Sequence, residues 1–116
     1  MSTQEKADEL IKTLTDKVNA KPQGSAGWGG AILINFTNAE EVYFLKFGMD
    51  GKVEKVEKGY LKVMQKKGAK ATINTTTDTV DAIYSGMIGG MGALMSGAIK
   101  VDGPLDVVMK LQSAFM

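Results

Sequence analysis

A chain of 116 residues, 44% apolar, 23% charged and with a formal net charge of +1, has the size and make-up of one globular domain spanning 1–116. It contains no cysteine, no histidine and no arginine. These absences exclude disulfide scaffolds, thiol and imidazole catalysis, zinc fingers and histidine-held metals, and without the guanidinium fork no sequence-specific nucleic-acid binding is expected.

The elements follow in chain order. Residues 2–19 predict an amphipathic helix: Ser2 or Thr3 caps it, Glu5 stands at the capping-box spacing from Ser2, and Ala7, Leu10, Ile11, Leu14 and Val18 form one stripe. Lys21-Pro22 ends it, and a glycine-rich loop follows in which Trp28 is either an anchor or one wall of a binding site. Residues 31–38 and 41–48 are short, β-branched and apolar on both faces, as strands covered on both sides or lining a cavity would be. Asp50-Gly51 predicts a type I′ hairpin into 52–59, a lysine- and glutamate-rich edge strand. Residues 60–68 fit either a strand or a helical turn, and 70–77 alternate as a strand. A helix then starts at Thr77 or Asp78 and stops at Gly86. A strand over 97–103 and a terminal helix from Pro104, with Asp106 and Lys110 as an i,i+4 pair, complete the chain. Strands come in runs without regular βαβ alternation, so the fold class is α+β with one mostly antiparallel sheet.

Residues 86–97, "GMIGGMGALMSG", sit in an uncharged run of 18 residues, Ala82 to Ile99. A phosphate loop would need a lysine after the last glycine, and none appears before Lys100. The run just reaches the length of a membrane span, but glycine and serine make up much of it and Asp81 and Lys100 border it closely. Met87, Met91 and Met95 recur every fourth residue. They are either pliable core packing or part of a site for apolar ligands, to which methionine adapts well.

The last third of the chain places a strand before an Asp-bearing helix ending in Gly86, then Ala93-Leu94-Met95, then Gly97-x-Ile99-Lys100-Val101-x-Gly103, then a helix holding Met109-Lys110-Leu111-Gln112. This ordered set resembles the sterol carrier protein 2 domain family. The resemblance implies a five-stranded, mostly antiparallel sheet covered by helices, with an apolar tunnel between them. It also implies non-catalytic binding of long-chain fatty acids, fatty acyl-CoA, sterol-like ligands or phospholipids, and their transfer between membranes or enzymes, without a cofactor. Burying a methylene is worth about 0.8 kcal/mol, so an acyl chain needs little polar recognition.

The expected tunnel residues are Phe36, Phe44, Ile83, Met87, Ile88, Met91, Leu94, Met95, Leu105, Val108, Met109 and Phe115. Residues 46–70 hold eight lysines against three acids, and Lys62, Lys66 and Lys67 are the expected contacts for anionic head groups or a membrane surface touched in passing. The other reading is an interaction or oligomerisation module that docks a partner enzyme or a second copy through the apolar carboxyl-terminal surface. No residues offer themselves as a catalytic constellation or a metal site. The polar opening "MSTQEKADEL" and the Ala-Phe-Met ending carry neither a secretory nor a peroxisomal signal, so the expectation is a cytoplasmic monomer or weak homodimer.

Overall fold

The computed structural model describes residues 2–104 and 106–107. Helix α1 (Thr3–Ala20) opens with the expected capping box: the Glu5 N–H donates to Ser2 Oγ at 3.1 Å, and the Ser2 N–H donates to Glu5 Oε1 at 3.2 Å. All five residues of its apolar stripe are buried. The glycine-rich loop folds onto the core through half-buried Trp28, whose ring meets Phe47 edge-on at 5.5 Å between centroids. That contact makes Trp28 the anchor of the loop.

The sheet consists of β1 (Ala31–Phe36), β2 (Glu41–Phe47), β3 (Val53–Gly59), β4 (Ala71–Thr75) and β5 (Lys100–Asp102). Its order is β3-β2-β1-β4-β5, and only the β1/β4 pair is parallel. The ambiguous stretch after β3 is helical: α2 (Leu61–Met64) runs on into a 3-10 turn, Gln65–Lys67. Helices α3 (Thr77–Tyr84) and α4 (Gly90–Ser96) lie between β4 and β5. The expected strand over 97–103 is shorter than its sequence pattern, because Gly97 ends α4 in the left-handed conformation and pairing begins at Lys100. The terminal helix expected from Pro104, with its Asp106–Lys110 pair, falls largely outside the described residues.

Both faces of the central strands are covered, which is why β1 and β2 carry apolar residues without alternation. On one face Ile32, Ile34, Phe36, Tyr43, Leu45 and Phe47 pack under α1 and against Val80, Ile83 and Ala93. On the other, Ala31, Leu33, Val42 and Phe44 pack under Met64 and Leu61 of α2. Where α2 does not reach, the second face turns polar: Asn35 Nδ2 donates to Asn74 Oδ1 at 2.9 Å, and Asn74 Nδ2 donates to Asp102 Oδ2 at 3.1 Å.

Two local expectations are corrected. The β2–β3 connection is not a type I′ turn, because Gly51 alone has positive φ (+89°) there. It is a three-residue loop: the Gly51 N–H donates to the Gly48 carbonyl at 3.0 Å, and the Gly48 N–H donates to the Lys52 carbonyl at 2.9 Å. A Cβ on Gly51 would fall 2.0 Å from the Pro22 carbonyl oxygen, so this turn is also pressed against the chain leaving α1. Helix α3 is capped by Thr76, one residue before Thr77 and two before Asp78, and Thr76 Oγ1 accepts the Thr79 N–H at 3.2 Å.

Candidate functional site

The 86–97 segment is built by two left-handed glycines. Gly86 (φ +82°) follows the end of α3 and donates its N–H to the Ile83 carbonyl at 3.1 Å, and Gly97 (φ +83°) ends α4. Between them α4 makes two turns and buries only Ala93, with Leu94 half-buried against the core. The segment is tied back where the Ile99 N–H donates to the Ala93 carbonyl at 3.1 Å.

The large side chains of this segment face outward. Met87 is 80% exposed, Ile88 40%, Met91 54% and Met95 83%. Of the two readings of the methionines, pliable core packing does not hold for any of the three. Four large apolar residues exposed within nine positions form a patch of the kind that marks a binding surface. Beneath it lie Ala93 and Leu94, and then the core formed by Val80, Ile83 and Ile99.

The structure separates the other expected site residues. Phe36 and Ile83 belong to the core on the α1 side, the side where α4 packs. Phe44 lies on the opposite face of the sheet, so it shares no cavity wall with Phe36. Pairing explains this: Phe36 stands across from Glu41 and Phe44 across from Leu33, and successive residues of a strand alternate between faces. Lys62, Lys66 and Lys67 are carried by α2 and its 3-10 extension on that same second face, across the sheet from the methionine patch. Lys62 and Lys66 are exposed, whereas Lys67 Nζ reaches Glu57 Oε2 at 2.6 Å and stands 5.8 Å from the centre of the Phe44 ring. Leu105, Val108, Met109 and Phe115 lie outside the residues whose side chains are described.

An unexpected open groove of about 360 Å³ runs between α1 and β3, lined by Asp8, Ile11, Lys12, Thr15, Tyr43, Val56 and Lys58. There the Tyr43 hydroxyl donates to Asp8 Oδ1, which Lys58 Nζ also approaches at 3.2 Å. The hydroxyl bond, with the lysine beside it, holds the Asp8 carboxyl below its ordinary range. Burial, reinforced by Asp8, pushes the Tyr43 phenol up and keeps it protonated. No sequence signal joins these three groups, because they meet only once α1 crosses the edge of the sheet. Among the described residues no group of three or more acidic side chains could hold a metal ion, and no helix is long and apolar enough to cross a membrane.

A sequence model of the SCP-2 sterol transfer family matches residues 7–116, nearly the whole chain. The chain belongs to that family. Lipid binding and transfer, in general terms, come with SCP-2 membership. No curated protein matches the sequence. Among solved structures, sterol carrier protein 2 like 2 from Aedes aegypti superimposes with a TM-score of 0.65 at 19% identity, covering 96% of this chain and 97% of that one. The solution structure of the palmitated form of SCP2L2 from Aedes aegypti gives a TM-score of 0.61 at 20% identity, covering 91% and 90%. A double mutant of the sec-alkyl sulfatase PisA1 gives 0.73 at 18% identity, covering 93% of this chain but 16% of the enzyme. The chain thus spans about a sixth of that sulfatase's length. These likenesses fix the SCP-2 fold, five strands with helices on both faces.

Two glycines of the 86–97 segment, Gly89 and Gly92, are not packing requirements. A Cβ on Gly89 or Gly92 would meet nothing within 4 Å, and neither has a positive φ. Gly92 lies inside α4, where glycine costs about 0.5–1 kcal/mol relative to alanine. Gly92→Ala is expected to stabilise the protein by about that amount in urea unfolding.

Proposed function

We propose that this SCP-2 chain is a non-catalytic carrier whose preferred ligands are long-chain fatty acids or fatty acyl-CoA, with sterol-like ligands and phospholipids as the other classes, and that the 86–97 segment is the mouth of its site. The observation that carries this reading is the outward turn of Met87, Ile88, Met91 and Met95 directly over Ala93, Leu94 and the α1-side core. The glycines of the segment leave it cheap to deform, and methionine side chains accept ligands of differing shape. The palmitated state named for the Aedes aegypti relative supports the choice of a fatty acyl chain.

Titrating delipidated protein with a fluorescent long-chain fatty acid tests the reading. Saturable uptake that unlabelled fatty acid or acyl-CoA displaces is expected. Signal that rises linearly without saturating, or resists displacement, would refute it.

The lysines of α2 belong to a second contact, with the anionic surface of a donor membrane. Supporting this, α2 with its N-cap and its 3-10 extension exposes Tyr60 (81%) and Val63 (54%) beside Lys62 and Lys66, so basic and apolar groups share one short helical stretch. Docking of a partner enzyme through the carboxyl-terminal surface is distinguished by sizing the assembly with and without lipid, because only a shared surface makes the two compete.

A further inference from the structure

Strand β3 ends the sheet, and its backbone can be followed residue by residue. The Phe47 N–H donates to the Gly30 carbonyl at 2.9 Å, so the odd-numbered residues of β2 turn their backbone groups toward β1. Val42, Phe44 and Lys46 therefore bond to β3, opposite Gly59, Glu57 and Lys55. The N–H and C=O groups of Val56 and Lys58 point away from the sheet, and no strand among the described residues lies beyond them. The ladder shifts register between Lys46 and Phe47, which leaves Glu54 in a bulge without a ladder partner, and Asn19 Oδ1 accepts the Val53 N–H at 2.8 Å just before it.

The side chains along this edge are charge-antisymmetric. Reading Glu54-Lys55-Val56-Glu57-Lys58 backwards replaces every acid by a base and leaves Val56 at the centre. We infer that β3 pairs antiparallel with β3 of a second copy of this chain, about a two-fold axis through Val56. In that register Glu54 faces Lys58 of the partner copy and Lys55 faces its Glu57. Both relations occur twice by symmetry. The outward-pointing Val56 backbones then meet as a hydrogen-bonded pair on the axis, as an antiparallel ladder requires, while Lys58 of each copy lies opposite the bulge at Glu54 of the other.

The neighbouring registers that keep this alternation all fail on charge. Centring on Glu54, Lys55, Glu57 or Lys58 sets that residue against its own copy, and like charges directly opposite are destabilising. An edge protected only by lysine would repel a copy in every register. This one repels in all of these but the Val56 register.

Two features of the structure fit a copy there. Val56 is 42% exposed at the centre of the edge, although its strand neighbours across the ladder are buried. It also forms the outer lip of the groove beside α1, whose other apolar wall is Ile11. Pairing about a two-fold axis normal to the sheet keeps both α1 helices on one face, so the two grooves meet along the line where Val56 packs on Val56 of the partner copy. The existing ion pairs do not block this. Lys58 with Asp8, Lys55 with Glu57 and Lys67 with Glu57 are surface contacts, with their lysine side chains 45%, 59% and 35% exposed.

Sedimentation equilibrium of the whole protein over a range of concentrations tests the inference, with circular dichroism confirming that each variant is folded. The wild type is expected to show a reversible monomer–dimer equilibrium. Val56→Pro removes the two central N–H donors at an outward position that tolerates proline, and should give a monomer. Glu54→Lys and Lys58→Glu should each weaken self-association by about tenfold or more, because each sets like charges opposite one another twice. Mixed together, these two variants regain complementary pairs and should form a heterodimer about as stable as the wild-type dimer. A wild type that remains monomeric up to about 1 mM would overturn the inference. So would a dimer that Val56→Pro leaves intact, which would place the interface elsewhere, or charge variants that fail to recover on mixing.

Discussion

Phe36→Ala should destabilise the protein by about 3–5 kcal/mol and weaken fatty-acid uptake, whereas Phe44→Ala should cost about as much stability and leave uptake unchanged in the fraction that remains folded. Phe36 is 1% exposed in the core under α1 and meets Tyr43 edge-on, with ring centroids 5.9 Å apart. Truncating it removes a large buried ring and opens a cavity on the side of the sheet that carries α3 and α4. Phe44 is almost as buried, but it sits under α2 with Leu33 and Met64, and Lys67 stands over its ring. The two losses should therefore look alike in urea unfolding and differ in a ligand titration of folded protein. Equal loss of uptake in both variants would mean that the site does not lie on the α1 side.

The second large effect is expected from Met91→Glu/Met95→Glu. Both side chains are more than half exposed, so the folded state loses little packing, and a stability change within about 0.5–1 kcal/mol is expected. A fatty acid or acyl-CoA entering past this segment would meet two carboxylates in place of two thioethers. Its own head group is anionic, so repulsion adds to the lost apolar contact, and affinity should fall by about tenfold or more. Met91→Leu/Met95→Leu, which keeps the apolar character, should retain most of the binding. If the glutamate pair bound lipid as well as wild type did, the 86–97 segment would not be the mouth.

The elements were readable in the sequence wherever one physical signal dominated. The Ser2–Glu5 capping box and the stripe from Ala7 to Val18 are local patterns, and α1 follows them to within a residue. The doubly apolar stretches 31–38 and 41–48 pointed to strands covered on both sides or lining a cavity, and helices cover both faces of the sheet. What stayed hidden depends on register and on contacts distant in sequence. Phe36 and Phe44 look alike in the sequence, and only the pairing of Phe36 with Glu41 and of Leu33 with Phe44 shows that they point to opposite faces. The lysines of 62–67 were legible as a basic cluster, but only the packing of α2 shows that they lie across the sheet from the methionine segment.

Methionine spacing correctly grouped Met91 and Met95 on one helix, but spacing alone cannot say whether a stripe faces in or out. Here Ala93 and Leu94 took the inward positions. The link between Asp8, Tyr43 and Lys58 joins residues up to 50 positions apart and leaves no local trace. The Gly48–Lys52 connection shows the same limit on a smaller scale. Asp-Gly identified a turn but not its type, which is a three-residue loop pressed against the Pro22 backbone at Gly51.

In the function we propose, the chain holds a lipid's hydrocarbon on the α1 side of its sheet, entered through residues 86–97. Native mass spectrometry of the purified protein, before and after incubation with a long-chain fatty acid and its acyl-CoA, tests this most directly. The predicted result is a discrete adduct of one ligand mass on the wild type, which Met91→Glu/Met95→Glu reduces and Phe44→Ala does not. A protein that stays bare after incubation with either ligand, or an adduct that the glutamate pair leaves untouched, would contradict it.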